Sequence, residues 1–225
     1  MKNVLKISFV IIGTMIGAGF ASGQEINLFF MQYGNIGILG MIVSCILTSF
    51  IIYQVFKILH KRNIHNYSEF LESISPHKKL NQIIQIIIHT FLLLSFYIMI
   101  AGFCAYFKQE FQIPIWASAI IITVLCYITF KNNMKGVVSI NSFLIPFLII
   151  FIFYLGLKNI PFLNSYFSQL SNLKITYTNS FNWIISSIIY ASYNSILLIP
   201  ILIELNEKME NKLVIKKVSI FCFAV

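Results

Sequence analysis

Long apolar runs recur along the whole chain, and they limit the folds open to it. A helix needs about 20 mostly apolar residues to cross a bilayer. Hydrophobic residues make up 58% of the chain and charged residues 10%, and 225 residues cannot bury that much apolar surface in a water-soluble fold. The sequence therefore predicts an all-α, polytopic membrane helix bundle, with the lipid bilayer as its partner and a single transmembrane domain over 1–225. The predicted spans are 4–31, 36–57, 82–107, 114–130, 137–157, 182–203 and a partial seventh over 213–225.

The basic residues between these runs indicate the orientation. With the N-terminus in the cytoplasm and alternating spans, 13 of the 16 lysines and arginines fall on the inner side. Cytoplasmic connections of membrane proteins carry such an excess of positive charge. We therefore attribute the net charge of +9 to topology and not to nucleic-acid binding, and expect a multi-pass protein of a bacterial cytoplasmic membrane.

Two connections have features of their own. In 61–80, apolar residues recur at helical spacing, which predicts a short amphipathic helix on the inner membrane surface. Asn66 and Glu69 fit a variant of the capping box at its start. The connection 158–181 is rich in polar residues and is interpreted as a solvated outer linker, with a cover over a cavity as the alternative.

The first apolar run contains four glycines and a carboxylate between Gly13 and Glu25. Glycine weakens a helix and lets backbone approach a ligand closely. Within a bilayer, non-helical backbone survives only where protein or a water-filled cavity surrounds it. The stretch is therefore interpreted as an unwound segment that lines a binding site. Close helix packing through Gly13, Gly17, Gly19 and Gly23 is one alternative, and a signal peptide is another.

The sixth run has a polar cluster from Tyr190 to Ser195, followed by Pro200. A second broken helix and an ordinary helix with a hydrogen-bonded polar face both fit this pattern. The segments 20–24 and 190–194 share an order of aromatic, alanine, serine, any residue and amide, and they begin 170 residues apart. Interrupted segments at corresponding positions of two repeats are typical of the binding site of a transporter.

The segment from Gly13 to Glu25 resembles the signature of the YkvI-like membrane proteins of bacteria. The segment 190–194 resembles the sixth-helix pattern of the same family. That family is similar to the amino acid–polyamine–organocation superfamily, whose members have a LeuT-type five-plus-five inverted repeat. The resemblance implies a LeuT-type inverted-repeat architecture, with this chain holding the first repeat and the start of the second. It thus predicts a chain that is truncated at its C-terminus.

Two broken helices that meet near the midplane would expose free N–H groups for a carboxylate and free carbonyls for Na⁺. We expect backbone atoms of Gly17 and Ala18 to hold a coupling Na⁺, with H⁺ as the other candidate coupling ion. No further cofactor is expected. The predicted site residues are Gly17, Ala18, Gly19, Phe20, Ala21, Ser22, Gly23 and Glu25 in the first run, with Tyr190, Ser192 and Asn194 opposite them.

Glu25 is the one acidic residue within an apolar run. A carboxylate in a membrane is costly and marks a functional candidate, for a coupling proton or cation, although local pairing also fits. We interpret His89 as a residue that is hydrogen-bonded to a neighbouring helix, and a proton relay is the less favoured interpretation. The four cysteines lack metal-ligand spacing and are interpreted as small buried apolar residues.

Enzyme motifs such as HExxH, CxxC, GxSxG or a phosphate-binding loop do not occur in the sequence, so an enzyme is a poor fit. The features favour an ion-coupled secondary transporter of a small organic solute. An amino acid is the leading candidate solute, and it rests on the family resemblance alone. A membrane sensor that keeps the pocket without transport is the main alternative, and a nonfunctional truncated product is another.

Overall fold

The computed structural model describes residues 2–16, 23–131, 133–162, 182–206, 209 and 212–224. Within these ranges the regular structure is entirely helical, so the protein is an all-α membrane helix bundle. The helices are α1 (Lys2–Met15), α2 (Gln24–Phe29), α3 (Asn35–Arg62), α4 (Tyr67–Ile74), α5 (Lys78–Phe111), α6 (Ile115–Lys131), α7 (Asn133–Asn159), α8 (Asn182–Asn206) and α9 (Lys212–Ala224). Short 3₁₀ turns follow α2 at Met31–Tyr33 and α7 at Ile160–Phe162.

Four of the helices, α3, α5, α7 and α8, are long and apolar enough to cross a membrane, with α7 extended through its 3₁₀ turn. The apolar helices α1 and α6 are shorter. The helices α5, α6 and α7 pack on one another in sequence order, and most of their apolar side chains are exposed. Exposed apolar surface of this extent suits the acyl chains of a bilayer and not water. The structure thus agrees with a bilayer as the surroundings of these helices.

Among the described helices, α3 packs most extensively against α8, and small residues make the approach possible. A Cβ at Gly40 would lie 2.8 Å from Oγ of Ser187, so a larger residue would push the two helices apart. The hydroxyl of Ser44 lies 3.0 Å from the carbonyl oxygen of Gly40 and 3.1 Å from that of Ser187. Small residues and hydroxyl groups commonly join membrane helices in this way.

One end of the bundle holds the apolar core. It joins α1, α3, α4, α8 and α9, and its members are buried almost completely. Phe56, Leu59, Leu198 and Leu205 are fully shielded at its centre. Deleting such side chains typically costs about 2–5 kcal/mol, so this core fixes how the five helices are arranged. The core residues are Ile7, Val10, Ile11, Ile52, Val55, Phe56, Leu59, Ile64, Phe70, Leu198, Leu202, Ile203, Leu205, Met209, Ile215 and Val218.

The amphipathic helix predicted within 61–80 is present as α4. Its N-cap residue Asn66 accepts a hydrogen bond from the backbone N–H of Glu69 at 2.9 Å. The Glu69 carboxylate in turn accepts the backbone N–H of His65 at 3.0 Å, one residue earlier than in a standard capping box. Phe70 lies in the apolar core, whereas Ile74, one turn later, is exposed. Partial burial raises the pKa of the Tyr67 hydroxyl in the first turn.

The expectation of a broken sixth helix is wrong. The helix α8 runs without interruption from Asn182 to Asn206, with Pro200 inside it. The polar cluster satisfies its own helix, because Asn194 and Ser195 donate to the carbonyls of Tyr190 and Ala191 at 3.1 and 2.6 Å. Without a glycine in this segment, the continuous helix keeps its hydrogen bonds, and this outweighs the donor that Pro200 lacks.

Candidate functional site

The first apolar run is not one continuous helix. The helix α1 ends at Met15, and Gly23 has a φ of 74°, a left-handed value that excludes it from a right-handed helix. Only glycine adopts such a φ without strain, and Gly23 is the N-cap residue of α2. The predicted site residues Gly17, Ala18, Gly19, Phe20, Ala21 and Ser22 lie outside the described residues.

Glu25 lies in the first turn of α2 and is half-buried. Its carboxylate accepts a hydrogen bond from the hydroxyl of Tyr193 on α8, 168 residues further along the chain. The charge also lies at the N-terminal end of α2, where the helix dipole stabilises an anion. A membrane carboxylate is therefore matched to one hydroxyl donor across the interface between α2 and α8.

Aromatic rings surround this bond. The ring of Phe29 stacks on Tyr193 with the centroids 5.7 Å apart, and it meets Tyr190 edge-on at 5.2 Å. Phe30 meets Tyr190 at 5.0 Å, and Tyr190 meets Tyr193 at 5.4 Å, both nearly perpendicular. Such pairs each contribute about 0.5–1.5 kcal/mol beyond their burial. We call Phe29, Phe30, Tyr190 and Tyr193 the aromatic cluster, and it gives Glu25 an apolar boundary.

Backbone contacts hold the far end of α2 in place. Ser186 of α8 donates its hydroxyl to the carbonyl of Phe29 at 2.8 Å. Gly37 of α3 packs against the next carbonyl, because a Cβ at Gly37 would lie 2.0 Å from the oxygen of Phe30. The helix α2 has six residues and is too short to be stable alone. Its position is therefore set by α8 and α3.

The structure brings together only part of the predicted set in the sixth run. Tyr190 belongs to the aromatic cluster, and Asn194 is buried beneath it with its amide bonded to the Tyr190 carbonyl. Ser192 is exposed and does not join the cluster. Tyr193, which bonds to Glu25, was not among the predicted residues, because the pattern shared with 20–24 treated its position as variable.

Asn141 of α7 is a second polar residue that sequence reasoning missed. A Cβ at Gly13, in the last turn of α1, would lie 2.1 Å from its Oδ1. The amide nitrogen of Asn141 donates to the carbonyl of Val137 at 3.0 Å, which fixes the side chain beside α1. The close packing considered for Gly13 is thus present, and it is made with α7.

The remaining candidates lie away from Glu25. Nδ1 of His89 is 2.7 Å from the carbonyl of Gln85 in its own helix, so the interpretation as a bond to a neighbouring helix is wrong. The four cysteines are free thiols. Cys104 is buried, whereas Cys45 is exposed, contrary to the expectation of burial for all four.

Comparison with known proteins found two relatives in Bacillus subtilis (strain 168). The chain is 28% identical over 218 residues to an uncharacterized membrane protein, YkvI, and 30% identical over 206 residues to an uncharacterized protein, YyaD. These matches cover 94% and 92% of this chain. The chain is related to the YkvI-like membrane proteins. The predicted resemblance to this family is thereby confirmed.

The matched regions make up 60% of YkvI and 57% of YyaD, so the chain spans somewhat more than half the length of these relatives. No protein-family model matches the chain, and no solved structure does. The LeuT-type inverted repeat therefore stays a prediction.

Proposed function

We propose that this chain carries the solute- and cation-binding part of a secondary transporter for a small organic solute. The observation that carries the proposal is the hydrogen bond from Tyr193 to Glu25, between α8 and the short helix that follows the interrupted first run. A carboxylate among apolar helices costs several kcal/mol unless a partner compensates for it. Such a group is therefore a candidate for a function. Among the described residues, the partner of Glu25 is the Tyr193 hydroxyl, which supplies a hydrogen bond but no compensating charge.

The bond gives a way to link ion occupancy to the position of a helix. An ionised Glu25 accepts the Tyr193 hydroxyl strongly, because hydrogen bonds to charged groups are about twice as strong as neutral ones. A proton or Na⁺ on Glu25 competes for the same oxygen lone pairs and weakens the bond. The six-residue α2 then loses one of its attachments to α8, while Ser186 and the aromatic cluster remain. Coupling needs this dependence of conformation on ion binding.

The solute is assigned by class only. Glu25 offers a carboxylate beside the apolar aromatic cluster, which suits a small solute with an ammonium group and an apolar side chain. An amino acid fits this description, and the family resemblance supports it. The proposal involves binding and movement and no covalent chemistry, with H⁺ or Na⁺ as the coupling ion in the cytoplasmic membrane.

The test is uptake of radiolabelled amino acids into proteoliposomes that contain the purified chain, under an imposed H⁺ or Na⁺ gradient. We expect gradient-driven uptake, its loss in Glu25→Gln and retention in Ser192→Ala, whose side chain is exposed near the same helix turn. Full coupled uptake by Glu25→Gln would exclude the role of Glu25. Solute binding without flux would instead favour the sensor alternative, in which the pocket is kept and transport is not.

A further inference from the structure

A polar cavity of about 310 Å³ lies where α4 meets the start of α5. Its lining includes one carboxylate, Glu72, and one ammonium group, Lys78. The volume is at the lower end of the range for small-ligand sites, about 300–1,000 Å³. A cavity with one charge of each sign suits a zwitterion better than an anion or a cation alone.

The floor of this cavity holds a polar atom without a partner. Asn81 is 6% exposed, and its amide nitrogen donates to the carbonyl of Ser75 at 2.9 Å. Its Oδ1 is buried and accepts no hydrogen bond within the described part of the chain. Burying an unsatisfied carbonyl costs about 1–3 kcal/mol. Asn81 lines the cavity, and a ligand with an N–H donor would remove that cost once the side chain turns its oxygen toward the cavity.

The start of α5 suits a phosphate. The residue before it, His77, gives no side-chain cap, and Asn81 is the first residue whose N–H bonds back along the helix, to His77 at 3.0 Å. The earlier N–H groups of the first turn have no partner within a helix, and with the positive end of the dipole they favour an anion. Lys78 adds a full charge at the same point.

The walls of the cavity are tied together. The amide of Gln85 on α5 donates to the hydroxyl of Ser68 on α4 at 3.0 Å. Arg62, at the end of α3, donates to the carbonyl of Ser73 at 2.8 Å and does not line the cavity. Lys78 is thus the cation that a ligand in the cavity would meet.

The ligand would belong to a lipid. Directly beyond the cavity, α5 exposes Ile83, Ile86 and Ile87, which are 56–68% accessible and lie within a candidate membrane span. A head group held at Lys78 would let its acyl chains lie along these side chains. The amphipathic α4 places the cavity at the height of the membrane surface.

We propose that this cavity binds the phosphoethanolamine head group of a membrane lipid. Lys78 and the first turn of α5 hold the phosphate. Glu72 accepts N–H bonds from the ammonium group, joined by Oδ1 of Asn81 once that side chain turns toward the cavity. The site lies apart from Glu25 and the aromatic cluster and does not depend on the transporter proposal.

The test compares lipids that differ only in the head group. Delipidated protein in detergent is titrated with ethanolamine, choline and glycerol phospholipids of identical acyl chains, and bound lipid is counted by native mass spectrometry. Choline carries no N–H donor, so we expect about tenfold tighter binding of the ethanolamine lipid, the equivalent of one charge-assisted hydrogen bond. Equal binding of the ethanolamine and choline lipids would overturn the proposal.

Variants identify the groups responsible. We expect Glu72→Gln to remove the preference for the ethanolamine lipid. Lys78→Ala is expected to weaken the binding of the ethanolamine and choline lipids about tenfold. The matched controls Lys131→Ala and Glu204→Gln change exposed residues that do not line the cavity and are expected to bind as the parent does. An unchanged preference in Glu72→Gln would contradict the assignment. Soluble phosphoethanolamine that competes as well as the whole lipid would exclude a lipid site.

Discussion

At the scale of single residues, the hydroxyl of Tyr193 is the group whose removal tests the site most directly. Tyr193→Phe keeps the ring and its stacking on Phe29 but deletes the donor to Glu25. A hydrogen bond to a charged group contributes about 1.5–3 kcal/mol, so we expect the free energy of unfolding to fall by that amount. Denaturant unfolding of the purified protein in detergent micelles measures the change.

Ser192→Ala is the matched control, one residue away. Ser192 is exposed, and the expected change is within about 0.5 kcal/mol. Equal losses in the two variants would mean that the Tyr193 hydroxyl has no special role in stability.

Residue types alone indicated Glu25 as a candidate, and they did not indicate its partner Tyr193. Glu25 stood out because a lone acid in an apolar run is rare for an energetic reason. Tyr193 carries no such signal, since tyrosines are frequent in membrane helices. Its partnership with Glu25 depends on the register of α8 against α2. The hydrogen bond from Ser186 to the Phe29 carbonyl fixes that register, and it joins residues 157 positions apart. Local patterns contain no information on that register.

At the scale of helices, glycines in α3 and α5 provide a graded test of packing. A Cβ at Gly37 would clash with the fixed backbone carbonyl of Phe30. One at Gly40 would meet side-chain atoms instead, Oγ of Ser187 at 2.8 Å and Cδ1 of Phe30 at 3.3 Å. Gly102 of α5 has open space. We expect Gly37→Ala to destabilise by about 1–3 kcal/mol, with a smaller loss for Gly40→Ala. Gly102→Ala is expected to be neutral or to stabilise by up to about 1 kcal/mol.

Thermal unfolding of the three variants ranks these effects. A loss in Gly102→Ala as large as that in Gly37→Ala would contradict the close approach of α3 to Phe30. Such a result would point to general sensitivity to glycine replacement.

The helices themselves were largely predictable, because long apolar runs and an N-cap such as Asn66 have local causes. The continuity of α8 was not predictable from local causes. Tyr190 to Ser195 has the composition of an interrupted segment, yet each polar side chain there can bond either to its own helix or to a ligand. Which of the two bonds forms depends on the side-chain rotamer. Asn194, for example, bonds to the Tyr190 carbonyl of its own helix, and composition does not specify that rotamer.

At the scale of the whole molecule, the length of α5 determines which parts of the chain lie on opposite sides of the membrane. Its 34 residues give a length of about 51 Å, well beyond the hydrocarbon thickness of about 30 Å. If α5 spans the membrane, the connection that contains His65 and the C-terminal end of α5, which contains Glu110, therefore lie on opposite sides. The distribution of lysines predicts that His65 lies in the cytoplasm and Glu110 outside.

Single cysteines introduced at these exposed positions, in a chain whose native cysteines are replaced by serine, test this arrangement. With a membrane-impermeant thiol reagent on intact cells, we expect Glu110→Cys to be labelled and His65→Cys to be protected. Both should react after permeabilisation, which controls for accessibility. The reverse pattern would place the N-terminus and the head-group cavity on the outer side. Labelling of both in intact cells would mean that α5 does not span, and the polar Gln82, Gln85 and His89 would then lie in water and not beside lipid.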